Sequence, residues 1–365
     1  MYEHTRDRRG NRTLEPACGP SRASRTCAPI LKNRAWDTPL NPDADIHRDL
    51  IVIGASAGGL RVLLQLAGEL PDGFPPILVV QHIGHHVSVL PELLNRVSPN
   101  KAFHPQNGQP IASGTILIAP PDHHMLIVDD EIQLTTGPKE NFARPAIDPL
   151  FRSAAIAYGP RAIGVILSGR LDDGTAGLQA IKAAGGLAVV QAPDDAEERG
   201  MPGSALQYVD VDRVVRGEDL ARVLQELIRE PIVAHTEVPA VVRCEHALAT
   251  DRDNAMTTLD QIGSRTELVC PECGGVLWQI NDAMPRRFRC HTGHAYSIAA
   301  LDHCQAGHAD EAVWAALRAM HERHRMLLMM LEMHAADDPG VEVWQAEERR
   351  VRARIEALRE LADQR

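Results

Sequence analysis

Aromatic residues and long apolar runs are scarce in this 365-residue sequence, and its 38 basic residues are outnumbered by 49 acidic ones. Aromatic residues make up 4% of it, so a core must be built from Leu, Val, Ile and Ala. A formal net charge of −11 argues against general nucleic-acid binding. No apolar run approaches the roughly 20 residues that span a bilayer. We therefore expect a chain that binds no nucleic acid and does not insert into a membrane.

The N-terminus has no apolar segment of the kind that a secretory signal needs, which predicts a cytoplasmic protein. Residues 1–47 are rich in Arg, Pro, Asn and Asp without apolar periodicity, so we expect a disordered basic tail. Seven cysteines are an odd number, and three of them cluster at metal-ligand spacing. In a reducing compartment this favours metal thiolates over disulfides.

Between residues 48 and 230, short apolar runs alternate with helical stretches. This pattern predicts an α/β fold with a doubly wound, mostly parallel, Rossmann-like sheet. The predicted strands are Leu50–Ile53, Ile77–Val80, Thr115–Ile118, Met125–Val128, Gly164–Leu167 and Leu187–Val190. The predicted helices include Gly59–Gly68, Ser88–Val97, Pro149–Tyr158, Thr175–Ala184 and Glu218–Arg229. The third and fourth strands are too close for a helical crossover, so we expect a hairpin-like excursion there, with antiparallel pairing as one option.

Three further regions follow the predicted sheet. Residues 231–263 have no sustained apolar period and are predicted to be a linker, and residues 264–297 form a compact cysteine-rich module. Residues 298–365 predict an amphipathic helical hairpin, broken at an Asp-Asp-Pro-Gly sequence. Its apolar faces carry Leu317, Met320, His324, Leu327, Leu328 and Leu331, then Val351, Ile355, Leu358 and Leu361. Such faces suit a partner helix or self-association.

Ser56 lies in the turn between the first predicted strand and the first predicted helix. Unpaired backbone N–H groups and the helix dipole favour negative charge at such a point, which suits a nucleophile. Residues 54–58 also match the G-x-S-x-G pattern, a weak signal because small residues cluster in many such turns. A nucleotide site is less well supported, because the turn lacks G-x-G-x-x-G spacing and the lysine of a P-loop.

Two more polar residues follow predicted parallel strands at their carboxyl ends, where open α/β sheets place their sites. His82 follows the second strand and Asp173 follows the strand at residues 164–167. In a nucleophilic triad, the histidine takes the serine proton while the acid fixes the imidazole tautomer. The order Ser, His, Asp along the chain differs from that of the α/β-hydrolases.

Several ordered segments carry a resemblance to a known family, over roughly residues 49–228. They are residues 53–59 (IGASAGG), 80–82 (VQH), 118–125 (IAPPDHHM), 144–148 (RPAID), 164–169 (GVILSG) with Asp173-Gly174, and 200–202 (GMP). In these the chain resembles the CheB family of chemotaxis protein-glutamate methylesterases. The resemblance implies a triad of Ser56, His82 and Asp173 that hydrolyses γ-methyl esters of receptor glutamates and also deamidates glutamines. It implies a methylated chemoreceptor or related receptor as partner and no cofactor for catalysis.

The sequence departs from the family pattern in two regions. The segment Gly169–Gly174 reads GRLDDG, where the family usually has Met, Gly and Asn before the aspartate. This leaves Asp172 as an alternative acid, and it alters the turn that we expect to complete an oxyanion hole with backbone N–H groups after Ser56. Typical members also carry an N-terminal phosphorylatable receiver domain, so we expect no such control within this chain.

Other polar residues near the predicted site have plainer explanations. The pairs His85-His86 and His123-His124 have no ligand-spaced partners and are expected at the rim of the cleft. Arg144 could face the substrate or have a structural role, and Asp148 is expected to be a helix N-cap. Ser168 is expected to be structural.

The cysteine-rich module has the spacing of a zinc ribbon. Cys270 and Cys273 form one knuckle, and Cys290 follows after sixteen residues. We expect His294 as the fourth ligand, with His291 as the alternative. A closed four-ligand site leaves no position for substrate, which predicts structural zinc.

Two hypotheses of different class follow. The first is a methylesterase with a Ser-His-Asp triad. The second is a non-catalytic signalling scaffold built on a degenerate esterase domain, favoured by the altered turn at Arg170 and disfavoured by the complete triad.

Overall fold

A seven-stranded parallel sheet positions the rest of the fold. The computed structural model describes residues 47–83, 87–232, 236–250, 255–281, 283–335 and 339–363. The predicted disordered tail up to residue 46 and the pair His85-His86 lie outside these residues. None of the helices in the described segments is long and apolar enough to cross a membrane.

The strands, numbered along the chain, are β1 Leu50–Ala55, β2 Ile77–Gln81, β3 Lys101–Phe103, β4 Gln109–Pro110, β5 Thr115–Ile118, β6 His124–Val128, β7 Glu131–Thr135, β8 Ala162–Ile166, β9 Leu187–Gln191, β10 Arg213–Val215, β11 Gly263–Val269, β12 Val276–Ile280, β13 Arg287–Cys290 and β14 Ala295–Ser297. The helices are α1 Gly59–Glu69, α2 Leu90–Asn95, α3 Ile147–Tyr158, α4 Thr175–Ala183, α5 Gly200–Tyr208, α6 Leu220–Leu227, α7 Ala240–Thr250, α8 Ala255–Ile262, α9 Ile298–Glu332 and α10 Val341–Asp363.

The main sheet has the strand order β10-β9-β8-β1-β2-β5-β3, and all of its pairs are parallel. Every residue of the central strand β1 is buried, and its side chains alternate between two cores. One core includes residues of α3, α4 and α5, and the other includes residues of α1, α2 and α6. The predicted doubly wound α/β fold is therefore confirmed.

The predicted hairpin-like pairing of the strands at residues 115–118 and 125–128 is wrong. β5 pairs with β2 and β3 in the main sheet, whereas β6 pairs antiparallel with β7 in a separate sheet of the order β4-β7-β6. The connection carries the chain from one sheet to the other, where β6 packs on α3 and the Ile127 N–H donates to the Ser153 hydroxyl at 3.0 Å. Sequence reasoning missed β3, β4, β7 and β10, which are short or half exposed, and also α5.

The segment predicted as a linker contains α7 and α8. Val242 of α7 joins the core beside α3, and Leu248 and Leu259 form a smaller core with β12 residues. The helical period was obscured because α7 also buries polar side chains, Glu245 and His246. Beyond it, β11–β14 form a four-stranded antiparallel sheet.

The C-terminal helical region is present as α9 and α10, which pack on each other. Their shared core contains Leu317, Leu327, Val351 and Ile355, all on the predicted apolar faces, whereas Leu361 is exposed. His324 Nε2 lies 2.7 Å from Glu348 Oε1 across the pair. The Ser297 hydroxyl caps α9 by accepting a hydrogen bond from Ala300 N–H at 3.0 Å.

Candidate active site

The register of the main sheet places Ser56 beside His82. Ala55 at the end of β1 pairs with Gln81 at the end of β2, and the His82 N–H donates to the Ala55 carbonyl at 3.0 Å. Ser56 and His82 are therefore the next residues on two neighbouring strands, whose spacing is about 4.8 Å.

The backbone of the Ser56 turn is fixed by its neighbours. The Ser56 N–H donates to the Ser168 carbonyl at 2.9 Å, and the Gly59 N–H donates to the Ser56 carbonyl at 3.1 Å. Gly58 precedes α1 in the left-handed conformation, with φ of 80°. A Cβ there would lie 2.6 Å from the Ser168 hydroxyl oxygen, so only glycine fits.

Gln81 is a residue of this site to which sequence reasoning gave no role. Its side-chain amide donates to the Ser56 carbonyl at 2.8 Å and to the His82 carbonyl at 3.2 Å. One amide thus joins the two strand ends that carry the predicted nucleophile and base. The sequence did contain a signal for this role, because Gln81 is a polar residue at the end of the otherwise apolar, buried strand β2.

Asp173 comes from the loop between β8 and α4 and contacts His82. Its Oδ2 lies 3.0 Å from His82 Nε2 and accepts a hydrogen bond from the Ile147 N–H at 2.7 Å. Its Oδ1 accepts from the Asn141 side-chain amide at 3.1 Å and from the Gly174 N–H at 3.0 Å. The carboxylate therefore lies against the first N–H group of α3, where the helix dipole favours an anion.

Burial alone would raise the pKa of Asp173, but its hydrogen bonds and the neighbouring His82 lower it below the ordinary value. The carboxylate is therefore ionised at neutral pH. Because His82 Nε2 faces this anion, that nitrogen carries a proton, and Nδ1 is the nitrogen left to accept one.

Asp172 contacts Ser297 and not His82. Its Oδ1 accepts a hydrogen bond from the Ser297 hydroxyl at 2.6 Å. Burial raises the pKa of Asp172, and the bond to Ser297 only partly opposes this. Of the two aspartates left open by the sequence, Asp173 is the one that contacts the imidazole.

Asp148 caps a helix other than its own. α3 begins at Ile147, and the Asp148 side-chain oxygen Oδ1 accepts from the Gly177 N–H in the first turn of α4 at 2.6 Å. Burial, together with the negative charge of Asp173, raises the pKa of Asp148 to about 8. Asp148 is therefore mostly protonated at neutral pH, so that Asp148 and Asp173 are not both negatively charged in the same buried region.

The raised pKa predicts a pH-dependent stability. An aspartate in the unfolded chain loses its proton near pH 4, whereas folded Asp148 keeps it until about pH 8. The folded state binds more protons in that window, so this group lowers the free energy of unfolding as the pH rises from 4 to 8, by up to about 1.4 kcal/mol per pH unit.

Asp148→Asn removes that slope. We measure the free energy of unfolding of both proteins with denaturant at pH 5, 6 and 7. At each step to higher pH, the value for the variant should rise relative to that of the wild type. Parallel pH profiles for the two proteins would contradict the raised pKa.

The turn at Gly169 and Arg170, which is expected to give one N–H group to an oxyanion hole, lies next to Ser56. A Cβ on Gly169 would lie 2.9 Å from Ser56 Cβ, which places this turn directly against the serine. The Gly169 N–H, however, donates to the Glu198 carbonyl at 3.1 Å. Gly169 is thus not a donor for an oxyanion, and Arg170 N–H is the candidate that the turn retains. The Arg170 side chain pairs with Glu198 at 2.8 Å.

The remaining polar residues have structural partners. Arg144 binds Asp122 Oδ1 at 2.7 Å and donates to the Thr136 and Gly137 carbonyls, so its guanidinium holds a loop. The predicted rim position is wrong for His124, which is buried between the Pro138 carbonyl and the Ala146 N–H. Burial lowers its pKa. The Ser168 hydroxyl donates to the Ala57 carbonyl at 2.7 Å, a structural role as expected.

The cysteine-rich module brings together Cys270, Cys273, Cys290 and His294, with ligand atoms all within 4.8 Å of one another. Cys273 Sγ lies 3.6 Å from Cys290 Sγ, and His294 Nδ1 lies 3.5 Å from Cys290 Sγ. Two thiolates on a tetrahedral zinc ion at about 2.3 Å would be about 3.8 Å apart, so the cluster fits a metal ion. His291 instead packs against Gly275.

The cluster also has the outer contact that metal-binding histidines usually have. His294 Nε2 lies 3.1 Å from Glu272 Oε2, so a carboxylate orients the ring whose Nδ1 faces the cysteines.

Three comparisons place the chain among known proteins. The family described as CheB methylesterase matches residues 51–224. A Leptospira interrogans protein of the protein-glutamate methylesterase/protein-glutamine glutaminase type is 40% identical over 185 residues, 50% of this chain and 96% of the relative. A protein-glutamate methylesterase/protein-glutamine glutaminase of Paramagnetospirillum magneticum is 40% identical over 43% of each chain. These relatives are named as enzymes of the carboxylic ester hydrolase class.

A solved structure is also similar. The crystal structure of the Thermotoga maritima CheB methylesterase catalytic domain is 31% identical, with 50% of this chain and 100% of that chain covered and a TM-score of 0.48. Because a relative is matched over nearly its whole length at 40% identity, this chain belongs to the CheB methylesterase family.

Proposed function

We propose that this protein hydrolyses the γ-methyl esters of glutamate side chains on a methylated chemoreceptor or related receptor. The observation that carries the proposal is the contact of 3.0 Å between His82 and a buried, ionised Asp173, next to the strand end that carries Ser56. An imidazole oriented in this way is the base that activates a serine nucleophile. The names of the relatives supply the substrate class.

In the proposed reaction, the Ser56 oxygen attacks the ester carbonyl carbon while its proton passes to His82 Nδ1. The carbon–methoxy bond then breaks, and methanol leaves with that proton. Water next gives a proton to His82 and attacks the glutamyl ester of Ser56. The ester bond then breaks, and His82 returns that proton to the Ser56 oxygen, which releases glutamate and the serine hydroxyl. Asp173 stays ionised throughout and stabilises the imidazolium.

The same steps on a glutamine side chain would release ammonia in place of methanol, so we extend the proposal to deamidation. Catalysis by these residues needs no cofactor.

We also propose that the protein is cytoplasmic. Exposed apolar side chains on α9, including Trp314, Met326 and Met329, are available to a partner helix or for self-association.

Methanol release from a methylated receptor by the wild type and by Ser56→Ala tests this proposal. We expect release by the wild type and its loss in the variant. Full activity of Ser56→Ala would overturn the triad. No activity in either protein would favour the scaffold hypothesis instead.

We further propose that Cys270, Cys273, Cys290 and His294 hold a structural zinc ion. Their donor set and spacing support this, because three thiolates and one imidazole close the coordination shell and leave no position for substrate.

The double variant Cys270→Ser with Cys290→Ser should lose the zinc, since hydroxyl groups replace two thiolate ligands. Metal analysis of the purified protein measures this, with about one zinc per chain expected in the wild type. Cys304→Ser is the matched control, because Cys304 lies outside the cluster. One zinc per chain in the double variant would rule out these ligands.

A further inference from the structure

We propose that Asn141 is a positioning residue for Asp173 and that it makes the esterase site depend on the metal-binding module. The proposal rests on the function proposed above and adds a route by which the module reaches the chemistry. The side-chain amide of Asn141 contacts the two buried carboxyl groups, those of Asp148 and Asp173.

The Asn141 amide is a side-chain donor to the Asp173 oxygen that His82 does not contact. Nδ2 donates to Asp173 Oδ1 at 3.1 Å and to Asp148 Oδ2 at 3.3 Å. The other N–H groups that Asp173 accepts from, apart from His82, belong to the backbone. A hydrogen bond to a charged group is worth more than one between neutral groups, so this amide helps to hold the carboxylate where His82 meets it.

The module fixes the orientation of that amide. Asn141 Oδ1 accepts a hydrogen bond from the Ser297 N–H at 2.9 Å, and the Asn141 N–H donates to the Ala295 carbonyl at 2.8 Å. Because Ser297 occupies the oxygen side of the amide, the nitrogen side must face Asp173. Both partners belong to β14, the last strand of the module's sheet.

β14 in turn depends on the metal ligands. It begins directly after His294, and the Cys290 N–H donates to the His294 carbonyl at 3.0 Å across the turn that joins β13 to β14. An ion bound by Cys290 and His294 would close this turn. A second tie runs to the same loop, because the Ser297 hydroxyl donates to Asp172, the neighbour of Asp173.

Loss of the metal should therefore loosen β14, release the Asn141 amide and let the Asp173 carboxylate shift. Asn141 acts through Asp173, so kcat should fall while KM stays unchanged. The expected loss is about 10- to 100-fold, the scale of one hydrogen bond to a charged group.

The test compares the full-length wild type with Asn141→Gly, each with zinc and after chelation. Glycine suits this position because Asn141 has a φ of 50°, so the variant removes the amide without backbone strain. We expect zinc-loaded Asn141→Gly to keep its metal and to lose 10- to 100-fold in kcat. Chelation should lower the wild type at least to that level. It should lower the variant by no more than the loss caused by Ser297→Ala, because the tie from Ser297 to Asp172 is the part of the route that the variant retains.

Two control variants sharpen the comparison. Asn107→Ala removes an exposed asparagine whose side-chain oxygen accepts from the Leu134 N–H of β7 at 2.9 Å. That contact includes none of the site residues, so kcat should be unchanged. Ser297→Ala removes the hydroxyl tie to Asp172 but keeps the N–H that orients Asn141, so its loss should be smaller than that of Asn141→Gly. Additive losses on chelation, or a wild type whose kcat ignores chelation, would overturn the proposal.

Hydrogen exchange gives a readout that does not depend on activity. The N–H groups of Ile147, Asp148 and Gly174 donate to Asp173 and should exchange faster in the chelated wild type and in Asn141→Gly alike. If the wild type had no esterase activity, the proposed function would fail while this readout still decided the coupling. Unchanged exchange in both would overturn the coupling itself.

Discussion

Asp173→Asn should lower kcat about 10⁴-fold, the effect of reversing the tautomer of a triad histidine. Asp173 accepts hydrogen bonds on both oxygens, from His82 and Ile147 on one side and from Asn141 and Gly174 on the other. An asparagine must turn its own NH₂ group towards one of these sets of donors. If it faces His82, the imidazole loses the acceptor that holds the proton on Nε2.

Asp172→Asn is the matched control, since the two residues are adjacent, buried and changed in the same way. The asparagine oxygen can still accept the bond from the Ser297 hydroxyl, so we expect a loss of at most about tenfold, the value of one neutral hydrogen bond. Single-turnover measurements on both variants decide between them. A larger loss for Asp172→Asn than for Asp173→Asn would transfer the acid role to Asp172.

Glu140→Ala should lower the free energy of unfolding by about 3–5 kcal/mol, the cost of removing one partner from a buried ion pair. Glu140 Oε1 lies 2.6 Å from Arg152 Nη2 on α3 and 2.9 Å from Arg289 Nη2 on β13. All three side chains are at most 3% exposed. Burial would raise the pKa of Glu140, but the two arginines hold it well below its usual range.

The loss should be large because Glu140 joins the main sheet's helices to the module. Arg289 also pairs with Glu245 of α7 at 3.0 Å, so its guanidinium would keep one of two carboxylates while Arg152 lost its partner. Denaturant unfolding measures the effect. Glu226→Ala is the control, because its pair with Arg222 is about 60% exposed on both sides and should contribute less than about 1 kcal/mol. Equal losses in the two variants would contradict a buried network.

The sequence predicted those features that depend only on the local residue pattern and on the order of the strands along the chain. A β-branched run that breaks into small residues predicted β1, the turn at Ser56 and α1. Strand ends also predicted that Ser56, His82 and Asp173 would lie at one edge of the sheet, and β1 and β2, which carry the first two, are neighbours. The choice between Asp172 and Asp173 needed coordinates, since adjacent residues in a loop point in different directions.

The features that the sequence did not predict depend on distant polar contacts. Asn141 meets Asp173 and Ser297 from separations of 32 and 156 residues, and neither contact has a periodic signature. α7 was predicted as linker because it buries Glu245, which binds Arg287 and Arg289 of β13. The prediction that β5 and β6 pair was wrong because a short connection can also carry the chain from one sheet to another.

Trapping the acyl-enzyme shows whether Ser56 is the nucleophile. A methylated receptor peptide is mixed with the protein, the reaction is quenched with acid within the first turnover, and the fragment containing Ser56 is examined by mass spectrometry. We expect a glutamyl adduct on Ser56, equal in mass to the peptide less methanol, and no adduct in Ser56→Ala. Methanol released by Ser56→Ala at the wild-type rate, with no adduct on Ser56 in the wild type, would contradict it.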